Sequence, residues 1–279
     1  MIRWLREAVV EYWAVRPMEL AAALSYYTLL SLAPLVLLAV SVAALVFERP
    51  TVEGRVVDEM RALVGDDGAE VAKTVLHHAG NEEKGARSVL VSLVLLAVGA
   101  TTVFAQLQNS LNRIWKVEPN PRASMVWAFV KERLLSLAMV AGIGFLLLVS
   151  LLVNTGLSAA GESARAVVGT EPRVLQAVNL IVSLVIITLA FAAIFKVLPD
   201  APVAWGDVWF GAVATAVLFT LGKHVIGLYL GRAGIGSAYG AAGSVVVLTV
   251  WVYYASMIVL FGAELTHLRS RRRARSRPI

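Results

Sequence analysis

The sequence has 279 residues, of which 58% are hydrophobic and only 16% are charged. Soluble domains are about 45–50% apolar and about 25% charged, so this composition excludes an ordinary soluble domain and indicates a membrane protein. The net charge of +6 owes much to a C-terminal arginine cluster, which is typical of a membrane flank, so we expect no nucleic-acid partner. Cysteine is absent, which excludes disulfides, thiolate metal sites and cysteine nucleophiles.

Residues 1–16 predict an amphipathic helix lying in the membrane interface. Apolar and aromatic side chains recur at helical spacing on one face, while arginine and glutamate take the other face. Pro17 should end this helix, because proline cannot continue the backbone hydrogen bonding.

The first predicted membrane span covers about 20–46. This apolar run is much longer than the core of a signal peptide, so we interpret it as an uncleaved span. Its inner half carries Ser25, Tyr26 and Thr28, and Pro34 should kink it. The polar face either packs a kinked helix, with hydroxyls satisfying the freed backbone, or lines a cavity.

Residues 47–87 form the longest hydrophilic segment, with nine acids and six bases. Valine and leucine recur there at helical spacing, and the residues from Gly65 to Gly68 are a turn signal. We therefore predict a helical hairpin on the outer surface. His77 and His78 are adjacent, so they point about 100° apart on a helix and make a poor chelate, and we predict no metal site.

The rest of the chain predicts five further spans, giving an all-α protein with six transmembrane helices. Each run is apolar and of membrane-crossing length. A basic tail, 269–279, follows the membrane domain, 17–268. The predicted spans two to six cover about 88–108, 132–153, 174–197, 206–230 and 240–266.

The distribution of positive charge predicts the orientation. The segments assigned to the inner side hold fourteen Lys and Arg residues, and the longer outer segments hold nine. Because positively charged flanks resist translocation, we expect both termini in the cytoplasm.

Two groups of polar residues within the predicted membrane domain are candidate functional sites. Ionisable residues inside a membrane are expensive, so they are functional candidates by default. An equal alternative is that Glu264 only holds helices together and that Lys223 extends to the surface. The first group, the inner polar cluster, is a candidate substrate or gating site. Glu264 should pair there with Arg113 or Lys196. The cluster comprises Ser25, Tyr26, Thr28, Gln106, Asn109, Asn112, Arg113, Lys196 and Glu264. The outer candidate headgroup site comprises Asn179, Lys223 and His224.

Enzymatic motifs are absent from the sequence. The glycines in 234–240 are spaced GxGxxxG and follow no strand, and no Gly-Lys-Ser/Thr, His-Glu-x-x-His or Gly-x-Ser-x-Gly appears. We predict no cofactor, no catalytic residue and no enzymatic activity.

Several motifs together resemble the YihY/BrkB family of bacterial inner-membrane proteins, formerly labelled ribonuclease BN. Ala33 is a minor departure from the usual pattern. The resemblance covers about 15–268 and implies a six-span protein of the inner membrane, for which transport of envelope lipid is one family role. The matching stretches are 21–35, 108–115, 196–199, 239–241 and 262–265.

Three functions remain open from the sequence. The first is a transporter or flippase-like protein acting on an amphiphile such as an anionic membrane lipid, in which basic residues at both faces meet a headgroup. The second is a non-transporting scaffold or regulator that docks partners on 47–87. The third, a ribonuclease, lacks acid–base or metal-ligand residues at a usable spacing.

Overall fold

The structure is a computed structural model and describes residues 2–43, 48–80, 102–117, 172–233 and 242–275. Within these ranges all regular secondary structure is helical, as the sequence predicts. The helices are α1 (Ile2–Ala14), α2 (Pro17–Ala43), α3 (Arg49–Val64), α4 (Asp66–Gly80), α5 (102–114), α6 (Pro172–Val197), α7 (Trp205–Ala233) and α8 (Gly243–Arg275).

Three of the described helices are long and apolar enough to cross a membrane: Leu180–Val197, Trp205–Tyr229 and Gly243–Arg275. They correspond to the predicted spans four, five and six. The predicted span one corresponds to α2, which is not among these three. The predicted span three and most of span two lie outside the described residues, so the number six stays a prediction. The last of the three continues as one helix to Arg275. The basic tail is therefore helical over most of its length and extends the span.

The N-terminal region forms two helices that meet at Arg16. The amphipathic helix predicted over 1–16 ends at Ala14, and Arg16 has a φ of 55° before Pro17 begins α2. Proline is well tolerated at the first helical position, where no intrahelical N–H is needed. The second helix continues through Pro34, so this proline does not end it.

The hydrophilic segment forms the two helices expected of it, α3 and α4. Gly65 alone separates them, with a φ of 91° that a side chain would rarely adopt, and its N–H donates to the Arg61 carbonyl at 2.9 Å. The turn is thus shorter than predicted. The pair packs through Val52 on the second half of α2 and through Val64 on the far end of α7 and the start of α8.

The closest helix contact is between α7 and α8, and it is reciprocal. A side chain at Gly211 would overlap Thr266 Oγ1, and one at Gly262 would overlap Thr215 Oγ1. Each threonine hydroxyl donates to the carbonyl of the glycine four residues earlier in its own helix, Thr215 at 2.7 Å and Thr266 at 2.9 Å. Small residues let backbones approach closely in membrane bundles, and here both hydroxyls are also satisfied.

Candidate functional site

The second half of α8 is enclosed on every side at one level. All residues from Gly262 to Leu268 are buried, although a surface helix would bury one stripe only. Leu260 and Ala263 pack in one core with Tyr12 of α1 and with Leu111 and Ile114 of α5. This level of the bundle therefore brings α1, α5 and α8 together, with α7 against α8 through the glycine–threonine contact.

Glu264 and His267 lie one turn apart in this enclosed stretch. Their exposed fractions are 2% and 8%. Neither Glu264 Oε1 nor His267 Nε2 has a hydrogen-bond partner among the described residues. The indole of Trp115 lies edge-on to the imidazole, with ring centroids 5.9 Å apart. Because a buried polar atom without a partner costs about 1–3 kcal/mol, two such atoms on one helix face need an explanation.

Charged groups from three elements surround this pair. Arg271 Nη1 donates to both carboxylate oxygens of Glu11, at 2.7 and 2.9 Å, and Lys116 Nζ lies 4.0 Å from the same carboxylate. All three charges act electrostatically on both Glu264 and His267.

Lys116 reaches this position because of the backbone at the end of α5. Its φ is 53°, and the N–H of Val117 donates to the Asn112 carbonyl at 2.9 Å. This is the hydrogen-bond pattern of a helix C-terminus closed by one left-handed residue.

The predicted pairing of Glu264 with Arg113 or Lys196 is not found. Arg113 is exposed, and Lys196 Nζ donates to the Val203 carbonyl at 2.5 Å and lies 5.6 Å from the Trp205 ring centroid. Neither base makes an ion pair with Glu264 within the part of the chain that the structure describes. A direct pair does not form among the described residues, because Arg113 is exposed and the 198–204 loop engages Lys196, while contact across one water stays a prediction.

The amides of α5 bind the 198–204 loop instead. Gln108 Nε2 and Asn112 Nδ2 both donate to Asp200 Oδ2 at 3.0 Å, and the Asp200 N–H donates to Asn112 Oδ1 at 2.8 Å. Positions four apart share a helix face, so one carboxylate can receive both amides. Gln108 Oε1 stays buried without a hydrogen-bond partner among the described residues. We call this group the Asp200 latch.

A second buried carboxylate, Asp207, lies in the first turn of α7 and was not singled out from the sequence. It is 2% exposed, and its Oδ1 lies 3.6 Å from Arg269 Nε and 4.0 Å from Arg273 Nη1. The guanidinium of Arg269 also lies over the Phe210 ring, 4.5 Å from its centroid. These contacts fix the end of α8 against the start of α7. A carboxylate in the first turn is also favoured by the helix dipole.

The remaining residues of the predicted inner cluster are dispersed. The Ser25 hydroxyl donates to the Ala22 carbonyl of its own helix at 2.9 Å, Tyr26 is 58% exposed and lies edge-on to the Tyr27 ring, and Asn109 is exposed. Thr28 and Gln106 are half-buried, and the Gln106 carbonyl accepts the Ser110 hydroxyl. The structure does not place the predicted set in one connected group.

The predicted outer residues diverge as their spacing requires. Lys223 is half-buried and lines a shallow groove of about 160 Å³, counting open space at its mouth, together with Phe219, Trp251 and Tyr254. His224 is exposed, and its Nδ1 lies 2.8 Å from the Thr220 carbonyl of the same helix. The side chain of Asn179 lies outside the described residues. Of the two residues in this set whose side chains the structure describes, Lys223 faces the bundle and His224 does not.

Long apolar helices, a close glycine contact and buried polar groups between helices define a helical membrane protein. The family model described as virulence factor BrkB matches residues 8–279. The chain belongs to this family, which confirms the resemblance inferred from its motifs.

Relatives from several bacteria are similar over most of this chain. A UPF0761 membrane protein of Rhodospirillum centenum is 29% identical over 94% of this chain and 56% of its own length. One of Pseudomonas aeruginosa is 30% identical over 88% of this chain and 57% of its own. One of Pseudoalteromonas atlantica is 27% identical over 89% of this chain and 79% of its own length. The chain thus spans little more than half the length of the first two, and no solved structure matches it.

Proposed function

We propose that this protein is a transporter or flippase-like protein that moves an amphiphilic substrate, such as an anionic membrane lipid, across the bacterial inner membrane. Both termini lie in the cytoplasm, and the activity serves the cell envelope. The observation that carries the proposal is the enclosed stretch around Glu264, where buried polar atoms of Glu264 and His267 have no hydrogen-bond partner among the described residues. A helix that only needed to pack would not retain such groups, because apolar residues of similar volume do so at lower cost.

Two further features support a lipid substrate. The groove beside Lys223 combines one ammonium group with aromatic side chains, which suits a headgroup phosphate next to an acyl chain. At the other end, Lys116, Arg272 and Arg275 present basic groups at half-exposed or exposed positions. Basic groups at both ends are what a substrate that crosses the bilayer needs.

The test is transfer of a fluorescent phospholipid across vesicles containing the purified protein. Wild-type protein should transfer anionic lipid faster than protein-free vesicles do, and Lys223→Met should lose most of the gain while Lys223→Arg keeps part of it. His224→Gln is the matched control, since His224 is adjacent but exposed. Wild-type vesicles that behave like protein-free vesicles would overturn the proposal.

A scaffold or regulator is the second candidate, favoured by the exposed charges on α3 and α4. Deletion of exposed charges there, such as Glu59→Gln with Arg55→Gln, should leave lipid transfer unchanged if the protein transports. Loss of function in cells with normal transfer in vesicles would favour the scaffold. We propose no ribonuclease activity, so highly purified protein should not degrade RNA with Mg²⁺, Mn²⁺ or Zn²⁺.

A further inference from the structure

The neighbours of Glu264 and His267 show which ligand this pair could take. The two side chains lie one turn apart on α8 and are more than nine-tenths buried, and each keeps one buried atom without a partner among the described residues. They lie in a tightly packed level, between Leu260, Ala263 and the residues of α1 and α5. A headgroup is too large for such a position, whereas a proton needs only an acceptor atom.

We propose that Glu264 and His267 form a proton-binding site that couples movement of the amphiphile to the proton gradient across the membrane. This inference rests on the proposed transport function. Glu264 takes the proton on its carboxylate and His267 on its imidazole, and each releases it to the opposite side as the bundle changes conformation.

The charges around the pair allow both protonation states. Lys116 and Arg271 contribute positive charge beside the pair, and Glu11 contributes negative charge. Two further ionisable groups of the described helices are engaged elsewhere. Asp207 of α7 faces Arg269 and Arg273, and Lys196 of α6 binds a backbone carbonyl. A coupling site needs two states of similar free energy, and opposed influences of this kind provide them.

The packing of α1 against α8 controls the charges around the pair. Glu11, through its two hydrogen bonds with Arg271, holds one of the bases that act on Glu264. If α1 moved away from α8, Arg271 would lose its carboxylate partner and Glu264 would become the nearest acid on the same face. A shift of α1 would therefore change the proton affinity of Glu264 and His267.

Infrared spectroscopy tests proton binding without any transport. The carboxylic-acid carbonyl band of the intact protein should change in intensity with pH. That band should be missing in Glu264→Gln and retained in Glu59→Gln, a control at an exposed glutamate of α3. Identical titrations of the wild-type protein and Glu264→Gln would overturn the proposal, as would a band that responds to Na⁺ at constant pH instead of to pH.

Tryptophan fluorescence gives a second readout at His267. Protonation of the imidazole should quench Trp115, so the pH-dependent change should vanish in His267→Gln and in Trp115→Phe. This variant pair also carries the test if Glu264→Gln cannot be recovered from membranes. Emission with the same pH dependence in wild type and His267→Gln would contradict the proposal.

Vesicles with a pH gradient separate this inference from the transport proposal. Each coupled proton should change the lipid ratio between leaflets up to about tenfold per pH unit, since one unit corresponds to about 1.4 kcal/mol. A titrating site without any lipid transfer would end the proposed function and leave the proton site standing. Lipid transfer that ignores the gradient would end the coupling and leave the proposed function standing.

Discussion

The two ends of the bundle are held together in different ways. The hairpin end consists of α3, α4, the second half of α2, the end of α7 and the start of α8. Its ion pairs join residues close in sequence, such as Arg49 with Glu53 and Arg61 with Asp58, and most of these side chains are exposed. Aliphatic side chains make its contacts with the bundle.

The arginine end consists of α1, residues 111–117, the 198–204 loop, the start of α7 and the second half of α8. Its polar contacts join residues far apart in sequence: Glu11 with Arg271, Glu7 with Arg272, and Asn112 with Asp200. Ion pairs between residues three or four apart at the hairpin end therefore stabilise single helices, whereas ion pairs between distant residues at the arginine end hold different helices together. Substitutions at each end can test that difference.

The close contact between α7 and α8 should be the most sensitive to substitution. Gly262→Leu places a side chain on Thr215 Oγ1 and forces α7 and α8 apart, so we expect a loss of several kcal/mol or failure to insert stably. Thermal unfolding in detergent, followed by size-exclusion chromatography, measures it. Gly227→Leu is the control, because its position is exposed with open space around it. Equal stability of the two variants would contradict the close contact.

Ion pairs at the two ends should differ in coupling energy. A double-mutant cycle on Glu11 and Arg271 should give about 1–3 kcal/mol, because the two hydrogen bonds are charge-assisted and partly buried. The same cycle on Asp58 and Arg61 should give less than about 0.5 kcal/mol, because that pair is exposed and one turn apart. Similar values for both cycles would remove the distinction between the ends.

The Asp200 latch should contribute less than the Glu11–Arg271 pair. Asn112→Ala removes two hydrogen bonds with Asp200 and should cost about 1–2 kcal/mol of stability. Asn109→Ala, at an exposed amide one turn away, should be neutral within about 0.5 kcal/mol. A loss that is as large for Asn109→Ala would show that α5 itself, and not the latch, is responsible.

The docking of α1 on α8 should weaken both in acid and in strong alkali. The hydrogen bond from Arg272 lowers the pKa of Glu7 below its usual 4.5, so this contribution is present above pH 4.5 and is lost as pH falls through the lower folded value. Burial raises the pKa of Tyr12 above its usual 10, so the neutral phenol stabilises docking below pH 10 and this contribution is lost as pH rises further.

Fluorescence energy transfer can follow this docking, because the chain has no cysteine and accepts specific labels. Dyes at Val10→Cys and Arg275→Cys should separate slightly in acid and in strong alkali. Glu7→Gln should flatten the acid limb and Tyr12→Phe the alkaline limb. Unchanged limbs in both variants would show that other groups control α1.

Sequence reasoning succeeded where one element holds the whole signal. The amphipathic pattern of 1–16, the helical spacing in α3 and α4, and the apolar runs of α6, α7 and α8 are local, and the structure confirms these helices. The shared face of Gln108 and Asn112 was also readable from their spacing of four residues. Their partner Asp200 was not, because it lies 92 and 88 residues away and nothing in the sequence links it to α5.

The site was only partly predictable for the same reason. Glu264 was singled out because a carboxylate near an apolar run is costly, and it is indeed buried. His267, Glu11 and Lys116 were missed because each lies outside the predicted spans, where a polar residue is not costly enough to be singled out. Their meeting depends on α1 folding back onto a helix about 260 residues further along the chain. Asp207 offered one signal in the sequence, because it is a carboxylate in the first turn of a predicted span.

Vesicles reconstituted with one variant from each end would show whether the buried glutamate of the arginine end is required for lipid transfer. Wild-type protein and Glu59→Gln, changed at the hairpin end, should transfer labelled anionic phospholipid at the same rate, well above protein-free vesicles. Glu264→Gln, changed at the arginine end, should fall to the protein-free rate although it inserts and unfolds like the wild type. Equal transfer by Glu264→Gln and wild type, or none by wild type, would contradict the account.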